Sequence, residues 1–133
     1  MRRRVREARV ARLATVRAEG RPHLVPCCFV LDSRDEVVYS AVDAKPKSTP
    51  ALLRLDNLRA NPSASLLVDH YDEDWSALWW VRIDGTARII GSGAEFDRTL
   101  AELAGKYHQY ARQPPPGPVI AIDIETWNGW ASR

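Results

Sequence analysis

The sequence predicts a mainly β protein: an antiparallel barrel of six or seven strands, with two or three helices at its ends. Two observations carry this prediction. Strands come first and follow one another as hairpins, and helices are inserted only between later strands, which is unlike alternating βαβ units. In addition, the long strand predicted over residues 78–90 alternates cleanly, and its inward set includes the small residues Gly85 and Ala87. Small inward residues suit a tightly curved barrel wall.

The first elements are predicted to be a short helix over residues 3–12 and a strand over residues 13–16 that ends at the turn 18–22. The next segment, residues 23–31, is apolar at both alternating sets of positions, so we expect a strand that is covered on both faces. In so small a chain, the second cover would be a bound ligand or another subunit.

A strand over residues 36–42 leads to a loop over residues 43–50. At the end of this loop, Thr49 can cap a helix whose first position is Pro50, where the missing N–H costs nothing. The helix has an apolar stripe of Leu52, Leu55 and Leu58 and ends at Asn61-Pro62.

The second half of the chain is predicted to hold strands over residues 63–71, 78–90 and 119–126 and an amphipathic helix over residues 94–106. The proline-rich stretch 113–118 is predicted to be a stiff connector inside the same domain.

The chain of 133 residues has room for one domain. Its longest run free of charged and strongly polar groups is nine residues, over residues 114–122, whereas a membrane span needs about 20, so a transmembrane protein is excluded. The arginine-rich start is not followed by an apolar segment, and we therefore expect a cytoplasmic protein. Cys27 and Cys28 are neighbours that point to opposite faces of a strand, and we expect reduced thiols.

The net charge of +2 is unevenly distributed. Residues 1–12 carry six Arg and one Glu, so the rest of the chain carries a net charge of −3. A basic arm on an acidic body can be a solvated helix, or it can contact phosphate or a partner, but it is no nucleic-acid-binding stripe.

The best candidate site is the segment Lys45-Pro46-Lys47-Ser48-Thr49. Two cations, two hydroxyls and the free N–H groups of a helix start converge there, which is one way of holding a phosphate. The alternative is a solvated loop with an ordinary helix cap.

The run Asp69-His70-Tyr71-Asp72 places a histidine between two acids. No nucleophile with a recognisable elbow accompanies it, so a hydrolase is not expected. His70 is either a half-exposed histidine at a strand end or a donor to a ligand. His23 and His108 are assigned to the surface, and the three scattered histidines make no metal site.

The five tryptophans fall in two places, around the start of one strand and at the C-terminus. Large flat side chains at a barrel mouth can stack on a planar ligand, and they serve a core or an oligomer interface equally well. They are Trp75, Trp79, Trp80, Trp127 and Trp130.

Three segments together resemble the pyridoxamine 5′-phosphate oxidase-like split β-barrel proteins: the hairpin over residues 11–26, the run Tyr39-Ser40-Ala41-Val42-Asp43-Ala44-Lys45-Pro46-Lys47, and residues 57–68. The run Asp69-His70-Tyr71-Asp72-Glu73-Asp74-Trp75, with Leu78-Trp79-Trp80-Val81-Arg82, is similar to an actinobacterial subgroup of probable enzymes that depend on the deazaflavin coenzyme F420. The similarity runs over about residues 5–131.

The resemblance implies a homodimer with two cofactor sites at the interface, each built from both chains. Lys45 and Lys47, beside Ser48 and Thr49, match the residues that hold the cofactor phosphate. Two further sets match the walls around the cofactor ring. One wall, which contacts the ring largely through backbone groups, consists of Val25, Pro26, Cys27, Cys28, Ser40, Ala41 and Val42. The opposite wall consists of Val68, His70, Trp79 and Trp80.

The chain departs from the flavin-using oxidases, because residues 40–47 lack the leading Arg of their Arg-x-Val-Leu-Leu-Lys phosphate motif. This favours F420 over FMN. The resemblance then implies hydride transfer between the deazaflavin and an unsaturated small organic acceptor, with Tyr71 or His70 as the candidate proton donor. The alternatives are an FMN-dependent oxidase or reductase on the same fold, a non-catalytic protein that binds flavin, deazaflavin or haem, and a small barrel that binds nucleic acid.

Overall fold

The computed structural model describes residues 1–42 and 49–132. Within these residues the strands are β1 (Ala11–Val16), β2 (Pro22–Cys27), β3 (Val30–Leu31), β4 (Val37–Ala41), β5 (Ser63–His70), β6 (Trp79–Ile90) and β7 (Val119–Ala131). The helices are α1 (Arg2–Glu7), α2 (Thr49–Ala60), α3 (Ala94–Lys106) and α4 (His108–Arg112), with a 3₁₀ turn at Trp75–Ala77. No helix in the described part of the chain is long and apolar enough to span a membrane.

All seven strands belong to one antiparallel sheet with the order β2-β1-β5-β6-β7-β4-β3. The two edge strands, β2 and β3, are consecutive along the chain and are separated only by Cys28 and Phe29. The sheet therefore curls until its edges nearly meet, and the prediction of a mainly β, antiparallel barrel-like fold is confirmed.

The core lies inside the curled sheet. Its largest side chains are completely buried and come from β1, β5, β6, β7 and the segment between β2 and β3: Leu13, Leu66, Ile83, Ile120, Ile122 and Phe29. The helices close the ends of this core, since Val5 of α1 and both Leu55 and Leu58 of α2 pack into the same cluster. Asn57 of α2 donates a buried hydrogen bond to Thr15 of β1, at 3.1 Å, which fixes the helix against the sheet.

The outer face of the sheet is covered on one side only. Leu103 of α3 and Tyr110 of α4 pack with Tyr39 and Ala121 in a second core cluster, against the outer face of β3, β4 and β7. On the β2-β1-β5 side, Leu24 is 68% exposed and Leu67 is 36% exposed. Within a single chain, β2 is therefore covered on one face only, and the predicted second cover by a ligand or another subunit stays a prediction.

The strand predicted over residues 23–31 is in fact two strands, β2 and β3, which are separated at Cys28 and Phe29. Hydrogen bonds from side chains elsewhere in the chain explain this break. The Phe29 N–H donates to the Tyr107 hydroxyl at 3.1 Å, and the Phe29 carbonyl accepts from Lys106 Nζ at 2.9 Å. Ser40 Oγ donates to the Cys28 carbonyl at 2.8 Å. Side chains therefore satisfy backbone groups that a continuous strand would have paired in a ladder.

The N-terminal helix ends at Glu7 rather than at Arg12, and it is not a freely solvated arm. Val5 is completely buried, and the Arg6 guanidinium donates to the carbonyls of Leu31 and Asp32, each at 2.9 Å. Arg6 also forms an ion pair with Asp35. The basic segment is thus fastened to the domain it precedes.

Two further boundaries differ from the predictions. β7 continues to Ala131 instead of ending near residue 126, because it pairs with the whole length of β6. Trp127 and Trp130 are therefore strand residues. The predicted connector after α3 contains the short helix α4, whose buried Tyr110 packs edge-on against Tyr107 with ring centroids 5.7 Å apart.

Gly85 lies where the backbones of β6 and β7 approach closely. The register shifts there, because Asp84 pairs with Thr126 while Gly85 pairs with Ile124, which leaves Glu125 as the extra residue of a bulge. A Cβ atom at Gly85 would lie 2.2 Å from the Asp123 carbonyl oxygen and 2.9 Å from Ile122 Cγ2. Glycine is required at this position by the contact and not by its backbone angles.

We expect Gly85→Ala to lower the free energy of unfolding by about 1–3 kcal/mol, since the strands must separate to admit the methyl group. Urea unfolding measures the change. Gly91→Ala is the matched control, because a Cβ there meets nothing within 4 Å. Equal stability of the two variants would contradict the close approach.

An ionic network ties the helix layer to the sheet. Arg88 of β6 pairs with Asp123 of β7 at 2.6 Å and with Glu95 of α3 at 3.0 Å, and the Tyr39 hydroxyl donates to Glu95 at 2.7 Å. The hydrogen bonds from Arg88, followed by that from Tyr39, lower the pKa of Glu95 from 4.5 to about 2. Burial and the hydrogen bond to Glu95 raise the pKa of Tyr39 to about 12.

A carboxyl group whose pKa is lowered by folding contributes stability that is complete above its ordinary pKa and is lost as the pH falls toward the folded value. We therefore expect the Glu95 contribution to disappear between pH 4.5 and about pH 2. Glu95→Gln should lower the free energy of unfolding at neutral pH and flatten its decline in acid. Urea unfolding over this pH range, with Asp97→Asn on the exposed face of α3 as control, tests this. A decline of unchanged slope in Glu95→Gln would refute it.

Candidate functional site

A cavity of about 500 Å³ lies on the outer face of the sheet where β5 ends and β6 begins. We call it the aromatic groove. Its size falls in the range of small-molecule sites, about 300–1,000 Å³. It is lined by Leu67, Asp69, His70, Tyr71, Leu78, Trp79, Trp80, Arg82 and Trp130.

Strand register explains how these residues come together. Asp69 pairs with Trp80, and Trp80 pairs with Trp130, so the three side chains leave the same face of three neighbouring strands. In the adjacent row, Leu67 pairs with Arg82. At the strand end, the rings of His70 and Trp79 stack at 6.5 Å with 20° between their planes.

The charged groups of the groove are paired with neighbours on the same face. Arg12 contacts Asp69 at 3.0 Å, and Arg82 contacts Asp84 at 3.1 Å. His70 Nε2 lies 3.7 Å from Asp72. The walls that remain for a ligand are mainly apolar and aromatic, which suits a planar ring.

A second set of predicted residues lies at the corner between β2 and β3, around Cys28. Ser40 is completely buried, and Ala41 and Val42 are also buried. Burial raises the pKa of Cys27, and a hydrogen bond with Ser40 opposes this only in part. The side chains of these residues are therefore packed inside the corner, and a ligand bound there would contact backbone groups.

Lys106 is the cation of this corner. Besides its bond to the Phe29 carbonyl, its Nζ lies 3.9 Å from the centroid of the Phe29 ring. Burial, reinforced by the positive charge of Arg9, lowers the pKa of Lys106 to about 8. Lys106 was not predicted as a site residue, because a lysine that follows the apolar stripe of a helix carries no sequence signal for a functional role.

The structure brings His70, Tyr71, Trp79 and Trp80 together in the aromatic groove. Pro26 lies on the exposed side of β2. It pairs with Arg12, which in turn pairs with Leu67 of the groove, so Pro26 and Leu67 are two strand spacings apart, about 10 Å.

Other predicted residues lie elsewhere. Val68 is completely buried in the core, so its side chain cannot line the groove. Trp75 is exposed on the 3₁₀ turn, and Trp127 packs against the core beneath Arg2. His23 is half-buried in β2, and His108 is exposed at the start of α4. Lys45, Pro46, Lys47 and Ser48 are outside the described residues, and Thr49 begins α2.

The groove also contains residues that sequence reasoning missed, namely Leu67, Leu78 and Arg82. The alternation puts Leu67 and Arg82 in the outward sets of their strands, but it does not show that a groove forms over them. None of the corner residues lines the groove. Within one chain, the two predicted walls of a ring site are therefore separate.

Comparison with known proteins agrees with the architecture. The family model described as pyridoxamine 5′-phosphate oxidase matches residues 1–131. A comparison with curated proteins finds no match.

Three solved structures illustrate the shared fold. A conserved hypothetical protein from Mycobacterium tuberculosis is 21% identical with a TM-score of 0.78, over 97% of this chain and 81% of that chain. A FAD-binding protein from Mesorhizobium loti is 22% identical with a TM-score of 0.71, over 96% and 87%. HutZ, the haem storage protein from Vibrio cholerae, is 18% identical with a TM-score of 0.71, over 98% and 90%. At these identities the likeness concerns the fold alone.

Proposed function

Because the chain belongs to the pyridoxamine 5′-phosphate oxidase family, we propose that it is an oxidoreductase that depends on the deazaflavin coenzyme F420. In this proposal a hydride moves between the deazaflavin and an unsaturated small organic acceptor. The substrate class follows from the cofactor chemistry, since hydride transfer needs an electron-poor double bond and little acid–base machinery.

The aromatic groove is the observation that carries the proposal. Trp80 and Trp130 project from adjacent strands on one exposed face, and the stacked pair of His70 and Trp79 forms the end of the groove. A flat tricyclic ring can lie against such walls. The ion pairs of Asp69 and Arg82 leave no unpaired charge among the described residues that line the groove beneath such a ring.

Each part of the chain has a separate role in this proposal. A bound deazaflavin supplies the hydride from its ring carbon. The tryptophans orient the ring and exclude water, and Lys45 and Lys47 hold the phosphate of the tail. The Tyr71 side chain is 66% exposed at the groove and can donate a proton to the acceptor, while His70 is held by Trp79 and Asp72.

The preference for F420 over FMN rests on residues 40–47, which lack the leading Arg of the flavin phosphate motif. A second candidate is a non-catalytic protein that binds a flavin or haem. The structural likeness to a FAD-binding protein and to a haem storage protein favours this candidate. FMN-dependent oxidase or reductase chemistry on the same fold is the third.

Ligand binding separates these candidates. We expect the purified protein to bind F420 more tightly than FMN or haemin in parallel fluorescence-quenching titrations. Trp80→Ala should weaken F420 binding by about 0.5–1.5 kcal/mol, because one stacking wall is lost. Trp75→Ala, a change of the same kind outside the groove, should leave binding unchanged. Tighter FMN or haemin binding would favour the other candidates, and binding of none of the three would refute a ring site.

We also propose that the active form is a homodimer. Among the described residues, most of the residues predicted for one ring wall line the aromatic groove, and the groove includes none of the residues at the corner around Cys28 that were predicted for the other wall. Leu24, Pro26, Leu67 and Trp130 are exposed or partly exposed on the outer face between them. A second copy packed on this face would bury them and bring the groove of one subunit to the corner of the other.

Light scattering after size-exclusion chromatography tests the dimer. We expect the wild-type mass to be twice the chain mass of 15.0 kDa. Leu24→Glu should produce monomers, since a carboxylate would be buried without a partner. Ala101→Glu, on the exposed side of α3, is the control. A monomeric wild type would refute the dimer, and a dimeric Leu24→Glu variant would show that the interface lies elsewhere.

A further inference from the structure

A second cavity adjoins the aromatic groove. It has a volume of about 370 Å³ and is lined by Arg4, Ser76, Ala77, Leu78 and Trp79. Leu78 and Trp79 also line the groove, so the two cavities share a wall. A ligand whose ring occupies the groove can therefore extend a substituent past Trp79 toward Arg4.

Arg4 differs from the other arginines of the N-terminal segment. Their guanidinium groups have oxygen partners in the domain: Arg2 and Arg6 contact Asp35, Arg3 contacts Glu7, Arg9 donates to the Lys106 carbonyl and Arg12 contacts Asp69. No carboxylate of the described residues lies within ion-pair distance of Arg4. Its guanidinium carbon lies 5.6 Å from the centroid of the Trp79 ring. The ring holds the cation at the boundary between the two cavities.

The acidic side chains of the nearby turn accept hydrogen bonds from within the turn itself. Asp74 accepts hydrogen bonds from the Ser76 N–H and hydroxyl, at 3.0 and 2.7 Å, and these bonds lower the pKa of Asp74. Asp72 accepts from the Asp74 N–H at 2.8 Å. These negative charges disfavour a free anion in the cavity. An anion tethered to a ring in the groove has a high effective concentration there and can still bind.

We propose that Arg4 and the cavity beside Trp79 form an anion subsite, which binds a phosphate or carboxylate group attached to a planar ring in the aromatic groove. The inference rests on the proposed function, because it requires a ring ligand in the groove. Arginine suits this task, since its planar fork can donate two parallel hydrogen bonds to a carboxylate or phosphate while its face remains on Trp79.

The test compares F420 with the same deazaflavin ring lacking its anionic tail, using fluorescence quenching by the full-length protein. We expect Arg4→Ala to raise the dissociation constant of F420 about tenfold and that of the tail-free compound less than about twofold. Arg4→Lys should retain part of the F420 affinity. Arg3→Ala is the matched control: it removes the same charge from the same helix, at a side chain that is 88% exposed and paired with Glu7. It should change neither constant.

A deazaflavin whose tail ends at the phosphate identifies the group that binds. If Arg4→Ala weakens this compound as much as F420, the subsite takes the phosphate in place of Lys45 and Lys47; if F420 alone is weakened, it takes the tail carboxylates. Equal effects of Arg4→Ala on ligands with and without a tail would overturn the subsite and leave the proposed function standing. An effect of Arg3→Ala as large as that of Arg4→Ala on F420 would do the same. Failure of the wild type to bind any of these ligands would overturn both.

Discussion

The corner at Cys28 and Phe29 is the constraint on which the rest of the structure depends. There the chain leaves β2, at one edge of the sheet, and enters β3, at the other edge. The curling of the sheet is therefore set by two residues that lie outside both strands. The side chains of Tyr107, Lys106 and Ser40 form hydrogen bonds with the backbone of these two residues. Because two of the three come from the end of α3, the helix layer stabilises the closure of the sheet.

The closure also determines what remains exposed. Helices α3 and α4 cover the outer face of β3, β4 and β7, and the network around Arg88 fastens them there. The outer face of β2, β1 and β5 and the aromatic groove beside it receive no such cover. Leu24 and Trp130 are exposed there because no element of the described residues packs on them. An apolar face next to a groove is what a shared ligand site between two subunits requires.

The N-terminal segment shows how composition and tertiary structure can point in different directions. Six arginines in twelve residues resemble a solvated basic arm when they are counted along the chain. In the folded protein, Val5 is a core residue and Arg6 is bound to two carbonyls and to Asp35. Three of the six arginines, Arg2, Arg6 and Arg12, form ion pairs with acidic residues of the rest of the chain. Arg4 lies beside the groove, and no carboxylate of the described residues forms an ion pair with it.

By itself, the sequence determined the mainly β class, the two strands that flank the turn of the first hairpin, the helix before Asn61 and the clean alternation of β6. These features depend on neighbours along the chain. The family resemblance grouped His70, Trp79 and Trp80, and all three line the aromatic groove. Tertiary structure alone decided the break at Phe29, the burial of Val68 and Ser40, and the inclusion of Leu67 and Arg82 in the groove. These outcomes depend on which residues meet across strands or from α3, and hydrophobic periodicity shows which residues share a face without showing what covers that face.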